Sequence, residues 1–530
     1  MTARPTTMTA RPTTLVTKNP DHTCGMGVVP QGGLSRIAWS SAGLVLVTAV
    51  LSCLGMGNWC SFSPDIFRYL TIARALAETG HFPPQQMMAP PGFPIIIAPL
   101  LLFGDAPFLA LRVLLSLCWA VTGVMTYLLH RRELGERLGW IAGLLVAGSP
   151  VLLVLTTTPV SESVFVAIST TVLVVMDSWR HRPVRQWWFV AFGGLLTAAA
   201  CSVRSVGVVL LPIMGLTLLH DRRQSWRRRV VWAVIYASCT LGPWTAWQVR
   251  QSIYPAGPSY TTTWTTAIGA ERTDATGLLL QFERLSKYGP KRLEAIKEVV
   301  LPKQLAWRAY NPPLDTATTW LVGGLFVVTA TGRFVRFRSP VDAYVLLTLA
   351  MLSLWPWDEG GRFVAPLIPV LVGYPIWVGR VCWRRAAVRW WERCVLAAML
   401  LWLLAIQTGG MGVVQSKLPD RREKAVRRFA AMSTLASWHA TNTPAGARWV
   451  GVTPNRHNGK LLLLGAAYLS RRPVTTIDLH EGTAVELPSA GTRRVFVHES
   501  LIESGSITNL HDYTQVDAVG EFVVFGVTGE

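Results

Sequence analysis

Long apolar runs alternate with short polar segments between residues 37 and 414. A helix needs roughly 20 mainly apolar residues to cross the hydrocarbon core of a membrane. By that criterion the sequence predicts about eleven transmembrane helices. The predicted spans are 37–57, 106–129, 139–157, 162–179, 187–203, 205–220, 230–249, 319–335, 341–357, 363–379 and 394–414.

Two longer polar segments, 58–92 and 250–318, are predicted to be loops on one side of the membrane. The first is followed by the short apolar run 93–103, which begins within "PPGFP" and predicts a re-entrant or interfacial segment. The second contains "GPKRLEAIKEVVL", which predicts a helix with Pro290 near its start.

Composition supports a multi-pass membrane protein. The 530-residue chain is 51% hydrophobic and 15% charged, whereas a soluble domain carries about 25% charged residues. Its net charge of +20 falls in clusters between the apolar runs, so it indicates topology and argues against nucleic-acid binding. By the positive-inside rule these clusters are cytoplasmic, which predicts an inner-membrane protein with a cytoplasmic N-terminus. The clusters are 130–138, 180–186, 221–229, 333–339 and 380–393.

The sequence divides into three predicted regions. Residues 1–35 are predicted to be a disordered cytoplasmic tail, and residues 36–414 the transmembrane domain. Residues 415–530 have soluble composition, and alternating strand and helix patterns predict a small extracytoplasmic α/β domain there. No glycine-rich nucleotide-binding loop is found, which disfavours an ATP-driven transporter.

The segment "SPDIFRYLTIARALAETG" in the first outer loop predicts an amphipathic helix. Ser63 is a candidate N-cap, Asp65 lies in the first turn and Gly80 is a candidate stop. The helix presents an apolar face that can lie in the membrane interface, and Asp65 is predicted near the outer end of the first span. The apolar face consists of Ile66, Tyr69, Leu70, Ala73, Leu76 and Ala77.

Three further charged sites are predicted at the same outer face. Glu162 begins one span, Arg204 interrupts a long apolar run, and the segment "WPWDEGG" places Asp358 and Glu359 in a turn before Arg362. Each has an ordinary interpretation, respectively a solvated helix end, a boundary between two spans and a polar hairpin. Together with the first-loop aspartate they predict a pocket in which carboxylates handle an acceptor and arginines bind a phosphate.

In order and spacing, five stretches resemble the GT-C superfamily of membrane glycosyltransferases. The similarity is greatest to the branch containing protein O-mannosyltransferases and the lipid A aminoarabinose transferase. The resemblance implies a GT-C-like helical membrane fold and sugar transfer on the outer face. The donor would be a polyprenyl-phosphate-sugar, and the acceptor a lipid, a protein or a polysaccharide. The stretches are "SPDIFRYLTIARALAETG", "PPGFPIIIAPLLLFG", "PVSES", "VRSVGVVLLP" and "GRFVAPLIPVL".

The resemblance also implies roles for individual residues. Asp65 would be the general base of an inverting transfer, and Arg204 and Arg362 would stabilise the departing lipid phosphate. Arg68 and Tyr69, in the same motif as the base, would contact substrate. Asp358 and Glu359 are expected to contact substrate as well.

One departure from the superfamily pattern leaves two questions open. Many relatives have paired acidic residues in the first loop, but here Ile66 follows Asp65. A second catalytic carboxylate would then be Glu162 or come from the 358–359 turn, and use of a divalent metal stays open. His81 is either a metal ligand or a solvated loop residue. The alternative function is a lipid or solute transporter without sugar transfer, although no internal repeat supports it.

Overall fold

We analysed a computed structural model of the chain, which is mostly helical. It describes residues 33–54, 63–83, 90–104, 107–181, 187–221, 223–253, 277–300, 312–356, 360–385, 397, 409, 416, 418–442, 449–454, 457–471, 474–479, 494–503, 507, 513–519 and 522–527. The predicted tail 1–35 and the predicted span 394–414 lie almost wholly outside these residues.

Helices α1 to α16 form the N-terminal part of the structure. They are α1 (Gly33–Leu54), α2 (Pro64–Thr79), α3 (Gly92–Ile97), α4 (Phe108–Leu134), α5 (Glu136–Ala147), α6 (Pro150–Thr157), α7 (Ser161–His181), α8 (Trp187–Val203), α9 (Leu210–Leu219), α10 (Trp226–Ile253), α11 (Gly277–Val300), α12 (Pro312–Phe337), α13 (Pro340–Ser353), α14 (Gly361–Val364), α15 (Ile368–Leu371) and α16 (Gly373–Arg385).

Four helical stretches of the described chain are long and apolar enough to cross a membrane. They are Phe108–Leu134, Ser161–Arg180, Pro313–Phe337 and Gly361–Val381. The pair α5 and α6, bent by 45°, meets the same test as one broken span. Five shorter apolar helices lie beside them, beginning at Ile37, Gly92, Trp187, Ser205 and Pro340. A multi-pass helical fold is therefore present, and the count of eleven stays a prediction.

A partly buried ion-pair network joins four helices at one end of the bundle. Arg333 on α12 donates to both oxygens of Glu133 on α4, at 2.6 and 2.9 Å, and to Asp342 on α13 at 3.1 Å. Tyr374 on α16 donates to the same Asp342 oxygen at 2.9 Å. Charged groups in an apolar environment are costly unless paired, so this network fixes the four helices relative to one another.

The apolar run after "PPG" forms two short helical pieces instead of a span. Helix α3 continues into a 3-10 helix, Ala98–Phe103, which ends at Gly104 with φ +117°. A Cβ atom at Gly92 would lie 2.6 Å from the backbone of Ser202, so only glycine allows this approach to α8. The glycine of the motif thus places α3 directly beside the end of α8.

Helix α2 begins and ends as predicted but packs differently. Gly80 terminates it with φ +70° and donates to the Leu76 carbonyl. Ser63 occupies the predicted N-cap position, although its side chain makes no capping hydrogen bond. Packing of α2 against α3 and the C-terminal part of the chain covers its apolar residues. The expected face on the membrane surface is therefore largely buried within the protein, because both neighbours offer apolar side chains.

The predicted start of helix α11 is wrong. It begins at Gly277, so Pro290 lies inside it and not near its start. An internal proline costs about 3 kcal/mol in a helix. Burial of an apolar face containing Leu280, Ile296 and Val299 against α12, α13 and α14 offsets that cost.

The C-terminal part contains a five-stranded mixed sheet. Its helices are α17 (Leu418–Asn442), α18 (His457–Ser470) and α19 (Glu499–Glu503), and its strands are β1 (Trp449–Pro454), β2 (Val474–Leu479), β3 (Arg494–His498), β4 (Tyr513–Val519) and β5 (Phe522–Val527). The strand order is β2-β1-β3-β5-β4, with β1 parallel to β2 and β3, and β5 antiparallel to β3 and β4. Helix α17 and strand β4 were not predicted. The domain boundaries and the outer location stay predictions.

Candidate functional site

Three helix starts and one helix break carry the charged residues predicted at the outer face. Asp65 lies in the first turn of α2 and Glu162 in the first turn of α7, where the positive helix end favours a carboxylate. Arg204 is the extended residue between α8 and the 3-10 helix Ser205–Val209, so the helix breaks there, and a boundary between two membrane spans stays a prediction. Arg362 lies on α14, after Gly360 with φ +57°.

The structure brings these four residues into one ion-pair cluster. One oxygen of Glu162, Oε1, accepts hydrogen bonds from Arg362 and forms an ion pair with Arg204. Arg362 also donates from Nη2 to Oδ2 of Asp65 at 3.3 Å. Two carboxylates and two guanidinium groups, all from distant parts of the chain, therefore meet at one place.

Exposure separates the two carboxylates. The side chain of Asp65 is 37% exposed, whereas that of Glu162 is 1% exposed. Arg204 and Arg362 lie between these extremes, at 20% and 23%. Asp65 can therefore contact an incoming molecule, whereas Glu162 lies behind the two arginines and holds them. Direct action of Glu162 on substrate stays a prediction.

The cluster lies far from the Arg333 network. Glu162 begins α7, and Asp177 near the other end of α7 pairs with Arg132 at 2.9 Å. Fifteen residues of α-helix span about 22 Å. The two charged clusters thus lie at opposite ends of α7.

Tyr69 packs behind Asp65, one turn along α2. Its ring is buried and meets Phe93 edge-on, with 5.0 Å between centroids. Its hydroxyl hydrogen-bonds to Ser161, the residue before Glu162. Burial raises the pKa of the phenol well above its usual value, and the negative charges of Asp65 and Glu162 raise it further. Tyr69 therefore stays neutral and links α2 to α3 and α7, behind the surface on which Asp65 lies.

The other predicted site residues have different outcomes. Arg68 is half-buried on α2 and forms no ion pair with the described carboxylates. Asp358 and Glu359 lie outside the described residues. His81 is exposed and its Nδ1 lies 2.6 Å from the Thr79 carbonyl oxygen, a local contact past the end of α2.

The described carboxylates are in a poor environment for a divalent metal. No three His, Cys, Asp or Glu side chains come together as a metal-ligating group within the described ranges. Asp65 and Glu162 instead face guanidinium groups, whose positive charge opposes a second cation.

Arg292 is a buried cation near the cluster that the sequence did not predict. Arg292 on α11 is buried, donates to the Leu352 carbonyl at 3.1 Å, and lies 5.0 Å from the centroid of the Phe363 ring. Arg204 lies 5.9 Å from that same ring. In the sequence, Arg292 stands beside lysines and looks like another solvated cation. Only the spacing of apolar residues along α11 could have predicted that Arg292 lies on the buried face of the helix.

Comparison with known families supports the predicted resemblance. The sequence profile of the dolichyl-phosphate-mannose-protein mannosyltransferase family matches residues 88–247. This range includes Glu162 and Arg204 but neither Asp65 nor Arg362. No curated protein sequence matches the chain.

Comparison with solved structures shows the fold. The chain resembles ArnT from Cupriavidus metallidurans bound to undecaprenyl phosphate, with a TM-score of 0.56 and 14% identity over 93% of this chain and 98% of ArnT. It also resembles the oligosaccharyltransferase AglB from Archaeoglobus fulgidus, in complex with an inhibitory peptide and a dolichol-phosphate. That TM-score is 0.54, with 11% identity over 88% of this chain and 70% of AglB. At these identities the likeness shows the fold alone, and the chain shares the fold of both proteins.

Proposed function

We propose that this chain, a membrane glycosyltransferase of the GT-C superfamily by its family segment and fold, transfers a sugar from a polyprenyl-phosphate donor with inversion. The observation that carries the proposal is the cluster of Asp65, Glu162, Arg204 and Arg362. It combines an accessible carboxylate with two arginines held in place by a buried one.

Asp65 acts as the general base. It takes the proton from a hydroxyl or amine of the acceptor while that oxygen or nitrogen forms a bond to the anomeric carbon. The bond between that carbon and the phosphate oxygen breaks on the opposite side, and the lipid phosphate leaves with the electron pair. The half-exposed position of Asp65 supports this role, because a base must touch the acceptor.

Arg204 and Arg362 stabilise the negative charge that develops on the departing phosphate. Guanidinium groups bind phosphate oxygens through charge-assisted hydrogen bonds, and a preorganised donor loses little free energy by reorganisation. Glu162 is the positioning carboxylate of this pair. Its burial supports that role over direct contact with substrate.

The location of the reaction follows from charge distribution in the sequence. The arginine-rich clusters are cytoplasmic in the proposed topology, so the Asp65 cluster faces the outer side of the inner membrane. The N-terminus is then inside, and the sheet-containing C-terminal part is outside. The acceptor is a lipid, a protein or a polysaccharide of the cell envelope.

The test is sugar transfer by the purified chain in proteoliposomes. Polyprenyl phosphates carrying a hexose or a pentose are supplied with envelope extract as the acceptor, and released lipid phosphate and sugar-labelled product are measured. We expect transfer from at least one donor, with the product anomer opposite to that of the donor. Product with retained configuration would reject direct displacement, and release from no donor would reject the proposed reaction.

A further inference from the structure

The helix that carries Asp65 is also the helix against which the C-terminal part packs. We call helices α17 to α19 and the five-stranded sheet the C-terminal unit. Helix α18 of this unit lies along α2, on which Asp65 is in the first turn. The nearby side chain of Phe67 is completely buried. Contacts with the C-terminal unit therefore begin two residues from the proposed base.

Arg74 makes the most specific contact between α2 and the C-terminal unit. Its side chain is buried, and its Nη1 donates to the backbone carbonyl of Tyr468 at 2.5 Å. Its guanidinium carbon lies 3.8 Å from the centroid of the Tyr468 ring. A buried arginine that is both hydrogen-bonded and stacked is costly to separate from its partner, so this contact resists sliding of α18 along α2.

Close packing continues towards Asp65. The rings of Phe67 and Tyr468 lie 5.9 Å apart, and a Cβ atom at Gly465 would lie 3.2 Å from the Phe67 ring. Met432 of α17 is completely buried in the same apolar cluster. The C-terminal unit thus shares one continuous core with α2.

Few side-chain contacts hold Asp65 in place. Its side chain is more than one-third exposed, and Arg362 contacts it at 3.3 Å. Its position is therefore set mainly by the backbone of α2. That helix is held on one side by α3, through Tyr69 and Phe93, and on the other by α18.

We propose that the C-terminal unit positions the base: Arg74 and Tyr468 lock α2 so that Asp65 stays at the reacting atoms. The inference rests on the proposed function and adds two positioning residues to it. A base displaced by about 1 Å can lose a factor of about 100 in rate, so a contact about two and a half turns away can control the chemistry.

The test compares three variants of the full-length chain in proteoliposomes. Arg74→Met removes the hydrogen bond and the stacked charge, and Tyr468→Leu removes the ring but keeps an apolar side chain. Arg471→Ala is the matched control, because Arg471, the residue after α18, pairs with Glu78 of α2 at 3.7 Å through exposed side chains. Rates are expressed per folded chain, measured by size-exclusion chromatography in detergent.

We expect kcat to fall about 10- to 100-fold in Arg74→Met and Tyr468→Leu, with the donor KM within about twofold of wild type. Arg471→Ala should keep the wild-type kcat. In an Asp65→Asn background, Arg74→Met should lower the residual rate no further, because both changes disable the same step. An equal loss in both backgrounds would overturn the inference in favour of a general structural role.

The outcomes also separate this inference from the proposed function. If wild type is active, Asp65→Asn loses at least about 100-fold in kcat and both positioning variants keep the wild-type kcat, only the positioning role is overturned. If the wild-type chain transfers no sugar, the proposed function fails and this inference fails with it.

Discussion

The guanidinium of Arg362 lies 3.3 Å from the carboxylate of Asp65, although 297 residues separate them in the chain. The same guanidinium also donates to Glu162, which lies 200 residues before it. Arg362 therefore joins the exposed carboxylate to the buried one. Loss of this arginine should disturb the site more than loss of Arg204, which pairs with the same oxygen of Glu162.

Substitution of each arginine by lysine tests this difference. Lysine keeps the charge but lacks the planar fork that lets one side chain reach two partners. We expect Arg362→Lys to lower kcat/KM by about 100-fold and Arg204→Lys by about 10-fold, as losses of charge-assisted hydrogen bonds. Steady-state kinetics with varied donor measures both. Equal losses would show that the link from Arg362 to Asp65 has no catalytic effect.

Glu162→Gln should impair the site by freeing both arginines. The amide cannot neutralise two buried or half-buried cations, so we expect a loss of roughly 2–3 kcal/mol in stability. We also expect the donor KM to rise, because the arginines lose their fixed positions. Thermal unfolding in detergent and donor titration measure the two effects. A variant with an unchanged donor KM and unfolding temperature would contradict the anchoring role.

Arg333→Met should destabilise the fold without changing the chemistry. It leaves Asp342, which is completely buried, without its guanidinium partner, and loss of one member of a buried pair costs about 3–5 kcal/mol. The unfolding temperature should fall, whereas kcat per folded chain should match wild type, because the Arg333 network lies at the opposite end of α7 from Glu162. A large loss of kcat per folded chain would show that the two ends are coupled.

We expect Tyr69 to make the folded chain less stable at high pH. Its pKa is raised in the folded chain, so folding favours the neutral phenol. Its contribution is complete below the unfolded pKa of about 10 and is lost as pH rises from there through the higher folded pKa. Tyr69→Phe should therefore lose less stability than wild type above about pH 10. Unfolding temperatures across this pH range test it, and parallel curves for the two chains would contradict it.

Local chemistry made parts of the site predictable. A cation within an apolar run requires a break or a partner, and the helix does break at Arg204. Gly80 ends α2 because glycine adopts the left-handed conformation without strain. The positions of Asp65 and Glu162 in first turns also follow from their sequences.

Tertiary contacts made the remaining features unpredictable. The burial of Glu162 behind two arginines depends on packing between segments hundreds of residues apart. Helix α17 is rich in charged residues, which hides its apolar face in the sequence. The helical spacing of Ala425, Met432 and Leu435, which are buried, is the pattern that could have predicted it. Pro290 was placed near a helix start by local preference, whereas packing of the helix around it decided the outcome.

The direct test of the central claim is the kcat of Asp65→Asn in the sugar-transfer assay. Glu78→Gln, which neutralises an exposed carboxylate on the same helix, is the matched control. We predict that Asp65→Asn folds, binds donor with a KM within about twofold of wild type, and loses at least about 100-fold in kcat, while Glu78→Gln keeps the wild-type rate. A folded Asp65→Asn chain that transfers sugar at the wild-type rate would contradict the role of Asp65 as the base.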